Sequence, residues 1–435
     1  MTSSDDSFLG KEGTYWQIAT MSTPGRNQSQ NILRQKEGVK PYVRARVCSI
    51  LDSWLEFVDN KILDKLILYS NAHEKCDKPN SKADLLKFIG LQYIQGLYNK
   101  SIPLAMLWSK NYGIPIFSAT MSRNKYEYIM RILRFDNKNS RSQRLNTDKF
   151  AAVREIFDLF VANCKEKYTP HFSLTVDEEL MPLKSRCRFI MFMANKPDKY
   201  GIKFWDLVEV NSKYLVNCIP YLGKEEREHM LSEDVVLKLA DHLQSGYNVT
   251  GDNFFSSGSL CKNLLRKSIS YVGTVRANRR ELCNHMRRQQ DLYATTFYKD
   301  SEHKLLLAAY RCKPAKTVFL ISTMHKNPVL ENDAKSKPEL VKFYNQNKVG
   351  VDCIDQMIRL YSTRTTTRRW SFAVWCNILD KAAINAWIIY TKITGEKSAG
   401  ETSFLPSSNS YWKPKQTRTI RRFRSRSPAT SRFRC

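Results

Sequence analysis

The sequence predicts an α+β fold in which a central block of strands lies between two helical regions. Before residue 170, apolar residues recur at spacings of three and four, as they do on one face of a helix. Between residues 172 and 275 the apolar runs become short, β-branched and aromatic, with turn residues between them. After residue 351 the helical spacing returns.

The chain is long enough for about three folded units, because it has 435 residues and domains average roughly 150 residues. Hydrophobic residues make up 42% and aromatic residues 11% of it, which is typical of folded globular proteins. Its 70 Lys and Arg exceed its 42 Asp and Glu by 28, and its pI is about 9.6. Such a surplus favours a polyanionic partner, with nucleic acid as the first expectation.

Several other classes of protein are not expected. Residues 1–30 are polar and contain no apolar segment of the kind found in a signal peptide or membrane anchor. The most apolar run, Ala382 to Tyr390, is short and contains Asn385, so we expect no membrane partner. The 11 cysteines are scattered without a CxxC pair, which predicts reduced, mostly buried thiols and no zinc.

The first helical region, 41–170, follows a polar leader, 1–40, that we expect to be disordered. Ser81 and Asp84 have the spacing of a capping box at the start of a helix. A helical stripe near the end of the region consists of Phe150, Val153, Phe157, Phe160 and Cys164.

The strand block gives the element order βββαβαβ. Its short β-branched and aromatic runs are FSLTVD (172–177), RFIMFM (188–193), IKFWDLVEV (202–210), YLVNCIP (214–220), YNVTGD (247–252) and ISYVGTV (269–275). The runs before residue 221 are interpreted as three strands in succession, so YNVTGD is the fourth strand. A helix is predicted before YNVTGD and another before ISYVGTV. This element order matches that of ribonuclease-H-like folds, in which antiparallel strands are followed by parallel strands connected through helices. The acidic residues of these folds project from strand ends and one later helix.

The rest of the chain is predicted to hold an insertion, further helices and a basic tail. The stretch 276–340 contains two strand candidates, 304–310 and 317–323, and we interpret it as an insertion. One helical stripe begins at Val351, and a longer one runs from Phe372 to Ile389. The tail, Lys413 to Cys435, holds nine Lys and Arg and no acidic residue, so we expect it to be disordered.

Three aspartates lie where this strand order predicts an active site. Asp177 ends the first strand, Asp252 ends the fourth, and Asp352 opens the helix after the insertion. Phosphoryl transfer by two metal ions needs such a set, because Mg²⁺ prefers oxygen ligands and the two ions must be held by carboxylates from separate elements. The predicted chemistry is therefore cleavage or joining of phosphodiester bonds.

Each of these residues also has an ordinary structural interpretation. An aspartate at a strand end is usually a turn or cap residue, and Asp252 is a plausible helix N-cap. Asp352 is favoured in the first turn of a helix by the helix dipole. Asp355 has the spacing of an i,i+4 ion pair with Arg359. The prediction therefore depends on the conjunction of three carboxylates in fold order.

The chain resembles the piggyBac family of DNA transposases from about Gly25 to Tyr390. The stretches that carry the resemblance are MSRNKYEYIMRILRFDN (121–137), YTPHFSLTVDEEL (168–180), NKPDKYGIKFWDLVE (195–209), PYLG (220–223), TGDNFFSS (250–257), VGTVRANRRE (272–281), YNQNKVGVDCIDQM (344–357) and TRRWSFAVW (367–375).

The resemblance implies a cut-and-paste transposase with a ribonuclease-H-like catalytic core and two Mg²⁺ ions, for which Mn²⁺ may substitute. The family's metal-binding triad falls on Asp177, Asp252 and Asp352, and Asp355 matches a further family acid. The implied partners are double-stranded DNA, as transposon ends and TTAA targets, and a second copy in a homodimer; the implied location is the nucleus.

The family also implies a domain division in which a helical dimerisation and DNA-binding region is split around the core. The predicted domains are the leader 1–40, helical region 41–170, catalytic core 171–275, insertion domain 276–340, second part of the core 341–361, second part of the helical region 362–412, and basic tail 413–435.

Basic and aromatic residues beside the core are candidates for DNA contact. The cations are Arg276, Arg279, Arg280, Arg364, Arg368 and Arg369. Their alternative is a solvated surface, which the net charge of the chain makes the weaker interpretation. Trp370 matches a family tryptophan that handles DNA, and both it and Phe372 are suited either to base stacking or to the core.

A second function, from a different class, remains open. Family transposases typically end in a cysteine-rich zinc-binding domain, whereas this tail has one cysteine, Cys435. The enzyme is therefore expected to be impaired in end recognition, or else the chain is a domesticated nuclear DNA-binding protein without transposition activity. Intact aspartates favour the transposase.

Overall fold

A large mixed β-sheet organises the protein, and helices from both ends of the chain pack against it. The computed structural model describes residues 7–21, 32–73, 78–98, 102–223, 231–288, 290–300, 305–360, 362–365 and 367–395. The predicted tail, 413–435, and Tyr361 lie outside these residues.

The N-terminal elements are short strands followed by helices. In chain order they are β1 (Ser7–Leu9), β2 (Tyr15–Ile18), β3 (Gly38–Val39), α1 (Pro41–Arg46), α2 (Ile50–Leu55), α3 (Asn60–Asn71), α4 (Lys82–Tyr98), α5 (Leu104–Leu107), α6 (Pro115–Thr120), α7 (Arg123–Ile132), α8 (Lys138–Arg144) and α9 (Arg154–Lys167). The predicted capping box is present: Asp84 N donates to Ser81 Oγ at 3.1 Å, and Ser81 N donates to Asp84 Oδ2 at 3.1 Å.

The central elements follow the predicted order except that four strands after residue 172, rather than three, precede the first helix of this block. They are β4 (Tyr168–Thr169), β5 (Ser173–Pro182), β6 (Ile190–Phe192), β7 (Tyr200–Glu209), β8 (Leu215–Pro220), α10 (Leu231–Leu239), β9 (Asn248–Gly251), α11 (Gly258–Arg266) and β10 (Ser270–Val275). Strand β5 is central: it pairs antiparallel with β7 and parallel with β9, and β9 in turn pairs parallel with β10. Strands β6 and β8 both pair antiparallel with β7.

The last elements extend the same sheet and then cover it. They are β11 (Thr295–Asp300), β12 (Leu305–Lys313), β13 (Lys316–Ser322), α12 (Glu339–Asn347), α13 (Gly350–Leu360) and α14 (Trp370–Thr394). The strand order is β1-β2-β11-β12-β13-β10-β9-β5-β7-β6, with β8 also on β7. The predicted insertion, 276–340, therefore continues the main sheet through β13 and β10, although α12 and its strands enclose a small core of their own.

The leader differs from the expectation of disorder. Strands β1 and β2 form a hairpin whose second strand pairs with β11. Trp16 is fully buried, and its Nε1 donates to the Glu281 carbonyl at 3.0 Å. The strands are so short, with Gly10 and Gly13 between them, that alternation of apolar and polar residues is too brief to be seen in the sequence.

Helix α14 runs through the hydrophobic core. Its predicted stripe is buried, including Trp375 and Leu379. The helix is long and apolar enough to cross a membrane by length and composition, yet 83% of its most apolar stretch is buried inside the protein. The nine described cysteines are free thiols, and five of them are buried.

Candidate active site

Two of the predicted aspartates lie side by side on neighbouring parallel strands. Asp252 directly follows β9, as predicted, whereas Asp177 lies within β5, which continues to Pro182 instead of ending at Asp177. Val176 of β5 and Gly251 of β9 are register partners, and Asp177 and Asp252 are the residues that follow them. Gly251 is required here, because a Cβ atom would lie 2.5 Å from the Tyr271 hydroxyl oxygen. The parallel pairing of the two strands therefore brings both carboxylates to one edge.

The backbone around Asp252 is held by a small polar network. Asp252 Oδ1 accepts from Phe254 N at 2.8 Å, and the Ser256 hydroxyl donates to the Asp252 carbonyl at 2.9 Å. The Ser256 and Tyr271 hydroxyl groups are 2.9 Å apart. The N-cap of α11 is Ser257, which accepts from Leu260 N. Asp252 is thus a turn residue rather than the helix cap.

Asp352 reaches the same edge because helix α13 lies directly against β5. A Cβ atom on Gly350 would overlap Thr175 Cγ2, so a larger residue would require the helix or Thr175 to shift. Asp352 is in the first turn of α13, as predicted, and its side chain is 66% exposed. Its nearest cation is Lys196, whose Nζ is 4.0 Å from Asp352 Oδ1.

The three aspartates line one open cavity of about 140 Å³. Its lining residues are Thr175, Val176, Asp177, Gly251, Asp252, Tyr344, Lys348 and Asp352. Tyr344 and Lys348 were missed by the sequence analysis, although they lie one helical turn apart just before Asp352. Lys348 Nζ lies 5.3 Å from the centre of the Tyr344 ring, so a cation borders the acidic cavity.

The carboxylates in the cavity carry negative charge that the protein does not fully compensate. Burial raises the pKa of Asp177 to about 7, and the negative charges of Asp252, Glu178 and Asp352 add to this effect, while a hydrogen bond from Glu178 N opposes it. Burial also raises the pKa of Asp252, again with help from Glu178 and against the positive charge of Arg276.

These residues fit a hard divalent cation by their chemistry. All three acidic donors are carboxylates, and a bound cation would relieve the charge that raises the Asp177 pKa. Among the described residues, no three His, Cys, Asp or Glu side chains form a ready-made metal cluster. The Asp352 carboxylate is 66% exposed, so the three donors have suitable chemistry although they are not gathered into a ready-made metal cluster.

Asp355 lies on α13 one turn after Asp352 but does not line the cavity. It is buried, and Arg359 Nε donates to its Oδ1 at 3.0 Å, which is the predicted i,i+4 ion pair. Arg359 Nη1 also contacts Asp198 Oδ2 at 3.3 Å. Burial raises the pKa of Asp355 even so.

The predicted DNA-binding arginines fall into two groups. Arg276, Arg280 and Arg368 are exposed, and the half-buried Arg279 is near the Phe254 carbonyl at 3.4 Å. Arg276 Nε donates to Asn253 Oδ1 at 3.1 Å, which places it beside the Asp252 turn.

Two other arginines, Arg364 and Arg369, donate to main-chain carbonyl groups. Arg364 binds the Pro182 carbonyl, and Arg369 binds the carbonyls of Met130, at 2.9 Å, and Leu133. Burial lowers the pKa of Arg369 to about 10. These two guanidinium groups link the start of α14 and the segment before it to other elements.

The two aromatic residues at the start of α14 differ in exposure. Trp370 is half-buried and packs on Phe150 and Phe189, with ring centres 5.8 and 5.1 Å away. Phe372 is 1% exposed. The core interpretation is therefore confirmed for Phe372.

Behind the cavity lies a fully buried ionic cluster that sequence analysis did not predict. Lys381 Nζ contacts Glu179 Oε2 at 2.5 Å and Asp206 Oδ2 at 3.0 Å. Asn377 Nδ2 donates to Glu179 Oε1 at 2.7 Å. Asp206 is the register partner of Asp177 across β5 and β7. The cluster ties α14 to β5, which carries Asp177, and to its neighbour β7.

The chain has clear relatives among known proteins. The family model described as Transposase IS4 matches residues 52–387. PiggyBac transposable element-derived protein 3 of Homo sapiens is 23% identical over 363 residues, which cover 77% of this chain and 60% of that protein. PiggyBac transposable element-derived protein 2 of Homo sapiens is 24% identical over 300 residues, which cover 62% and 48%. The chain thus spans about half to three fifths of these relatives.

A solved structure is similar over most of its length. It is the cryo-EM structure of the piggyBac transposase synaptic complex with hairpin DNA, with a TM-score of 0.78 and 30% sequence identity. The match covers 83% of this chain and 79% of that one.

Proposed function

Since the chain belongs to the piggyBac-type transposase family, we propose that it is a DNA transposase that cuts and joins strands at TTAA targets. Asp177, Asp252 and Asp352 are its proposed catalytic residues. The observation that carries the proposal is that these three carboxylates, separated by 75 and 100 residues in the sequence, line one cavity.

The strand topology supports a ribonuclease-H-like catalytic core. Strands β8, β7 and β5 are antiparallel neighbours, β9 and β10 continue from β5 in parallel, and α13 packs against β5. In this layout the acidic residues come from the central strand, the strand beside it and a later helix. Asp177, Asp252 and Asp352 have those positions.

Asp177, Asp252, Asp352 and, by family resemblance, Asp355 would hold two Mg²⁺ ions, with Mn²⁺ as a substitute. Bound divalent ions activate the attacking oxygen and stabilise the leaving one in phosphoryl transfer. Backbone N–H groups of the protein orient the carboxylates that would bind the ions. Glu178 N donates to Asp177 Oδ1 at 2.8 Å, and Phe254 N donates to Asp252 Oδ1 at 2.8 Å, so a backbone hydrogen bond orients each carboxylate.

Duplex DNA is the proposed partner, in a nuclear homodimer. The exposed cations Arg276, Arg280 and Arg368 are the proposed phosphate contacts, together with the half-buried Arg279; of these, Arg276 lies beside the Asp252 turn. Arg364 and Arg369 support the fold through their carbonyl contacts. Trp370 is proposed to contact DNA at the boundary of the core, because its side chain is only half-buried.

The test is cleavage of DNA that carries the terminal repeats flanking this reading frame. With Mg²⁺ or Mn²⁺ the wild-type protein should nick such ends, and Asp177→Asn, Asp252→Asn and Asp352→Asn should each reduce the rate at least a hundredfold, on the order expected when a metal ligand is lost. Asp241→Asn is the matched control, since its side chain is 79% exposed. Equal rates for wild type and Asp252→Asn would contradict the assignment.

A second function is favoured by the relatives named as transposable element-derived proteins. In this second function the protein binds DNA but does not transpose it. Specific binding to the flanking repeats, with no nicking at any divalent-ion concentration, would support this second function over the first.

A further inference from the structure

We propose that the β6–β7 hairpin is a binding site for unpaired DNA, in which Phe192 and Tyr200 stack on an unpaired base. The inference rests on the proposed function, since DNA cleavage supplies such strands beside the cavity. It adds a substrate contact that the proposed catalytic residues do not provide.

The aromatic pair is exposed where a folded protein normally hides such side chains. Phe192 is 54% and Tyr200 53% exposed, and their ring centres are 5.0 Å apart. The two residues are register partners at the end of the β6–β7 ladder, so their side chains project from the same face of the hairpin. Two adjacent π-surfaces open to solvent are suited to stacking of a base, which is tolerant of sequence.

The chain around the pair is strongly basic. Residues 183–200 contain five cations, and Asp198 is their single acid. Four of the cations, Lys184, Arg186, Arg188 and Lys199, are exposed. Within the described part of the chain none of these four has an ion-pair partner, whereas Asp198 is engaged by Arg359. The surface therefore has unneutralised positive charge available for phosphates.

The hairpin is attached to the edge of the proposed active site. Lys196, in its loop, donates from Nζ to the Glu178 carbonyl at 3.0 Å and lies 4.0 Å from Asp352 Oδ1. Asp198, two residues on, contacts Arg359 of α13 at 3.3 Å. The loop that joins the two strands of the hairpin is therefore adjacent to the proposed active site.

The alternative is that the pair only stabilises the hairpin, as cross-strand aromatic pairs do. That role predicts no dependence of DNA binding on the bases. If the cations bind DNA without any stacking by the aromatic pair, the protein should bind any polyanion of equal charge equally well. Both alternatives can be tested separately from cleavage, by binding measured in EDTA.

The experiment uses a short single-stranded oligonucleotide containing 2-aminopurine and an abasic oligonucleotide of equal length. Full-length wild-type protein should quench 2-aminopurine fluorescence and bind the abasic strand at least ~5-fold more weakly, as the loss of one stacked base implies. Phe192→Ala and Tyr200→Ala should remove the quenching and most of this difference. Phe192→Tyr should retain both, and Tyr112→Ala, at a 79% exposed aromatic residue elsewhere, should leave them unchanged.

The contribution of the cations is measured by the salt dependence of binding. Replacing Lys184, Arg186 and Arg188 together by Gln should lower the slope of log K against log salt by about two units, since single strands give about 0.7 for each phosphate contact. Thermal melting of every variant identifies any loss of folding, and Phe192→Tyr keeps the test valid if the alanine variants unfold.

The outcomes separate the two proposals. Equal affinity for normal and abasic strands, or quenching that survives both alanine variants, overturns the inference whether or not the protein cleaves DNA. Quenching that depends on Phe192 and Tyr200 in a protein that does not nick its ends supports the inference and overturns the proposed transposase.

Discussion

At the scale of single residues, Asp177 has the most perturbed environment among the proposed catalytic groups. Its pKa is raised to about 7 from an ordinary value near 3.8, first by burial and then by its acidic neighbours. The folded protein without metal therefore retains a proton between about pH 4 and pH 7 that the unfolded chain has lost. Stability falls as the pH rises through this window.

We expect Asp177→Asn to remove this fall in the stability of the folded protein with rising pH. In EDTA, the variant should be more stable than wild type at pH 8, by at most about 4 kcal/mol, and the difference should shrink toward pH 4. Thermal melting between pH 4 and pH 8 measures it. Asp241→Asn should show the same dependence of melting temperature on pH as the wild type. If Asp177→Asn also showed the wild-type dependence, the raised pKa of Asp177 would be contradicted.

A second residue-scale prediction concerns Lys381, which is fully buried between Glu179 and Asp206. Lys381→Met keeps most of the side-chain volume but leaves two carboxylates buried without a cation. We expect a loss of about 3–5 kcal/mol in the free energy of unfolding, the range for breaking a buried pair.

Urea unfolding at pH 7 checks the Lys381 prediction. The matched control is Lys267→Met, whose pair with Asp241 is exposed and should contribute no more than about 1 kcal/mol. Burial raises the pKa of Asp206, so the loss in Lys381→Met should be smaller at pH 5, where the carboxylates protonate more readily. A loss no greater than that of Lys267→Met would show that the cluster does not hold α14 to the sheet.

At the scale of elements, helix α13 positions Asp352 only because Gly350 permits close contact with Thr175. Gly350→Ala should displace the helix and cost about 1–3 kcal/mol, as overpacking does. Nicking of end DNA should fall with it, since Asp352 moves away from Asp177.

Gly90 offers the opposite case on helix α4. A Cβ atom there meets nothing within 4 Å, so Gly90→Ala should stabilise the protein by up to about 1 kcal/mol through helix propensity. Chemical unfolding of both variants, with cleavage rates alongside, gives the comparison. Similar effects of the two substitutions would show that the contact with Thr175 is not tight.

The elements also show what the sequence could predict. The capping box of Ser81 and Asp84 and the strand order around β5 were predicted, because hydrophobic spacing and caps are local signals. The burial of Trp16 was not predicted, because its hydrogen-bond partner Glu281 and the strand β11 that pairs with β2 are far along the chain. The cluster around Lys381 was missed for the same reason.

The candidate site was predicted in part for similar reasons. Asp252 and Asp352 followed from a strand end and a helix start, which are visible in the sequence, whereas the strand predicted to end at Asp177 continues to Pro182. Tyr344 and Lys348 reach the cavity through the packing of α12 beside β5 and β10. Sequence spacing alone does not report that packing.

At the scale of the whole molecule, the net charge of +28 predicts salt-dependent DNA binding. The basic tail, Lys413 to Cys435, carries nine of the cations. Deleting it should lower the slope of log K against log salt for duplex DNA by about 0.9 for each phosphate contact that is lost.

Fluorescence anisotropy with random duplex at several salt concentrations tests the tail. A variant with the nine tail cations replaced by Gln keeps the length and should match the deletion. An unchanged slope in both would leave the tail with no part in phosphate binding.

The pairing of β2 with β11 sets the order in which this protein can form as it leaves the ribosome. Ile18 of β2 is the register partner of Tyr298, so β2 must wait for a strand that is translated about 280 residues later. At about 5–20 residues per second, the delay is tens of seconds. During that interval Trp16 lacks its native cover, and the nascent hairpin is a candidate for chaperone binding.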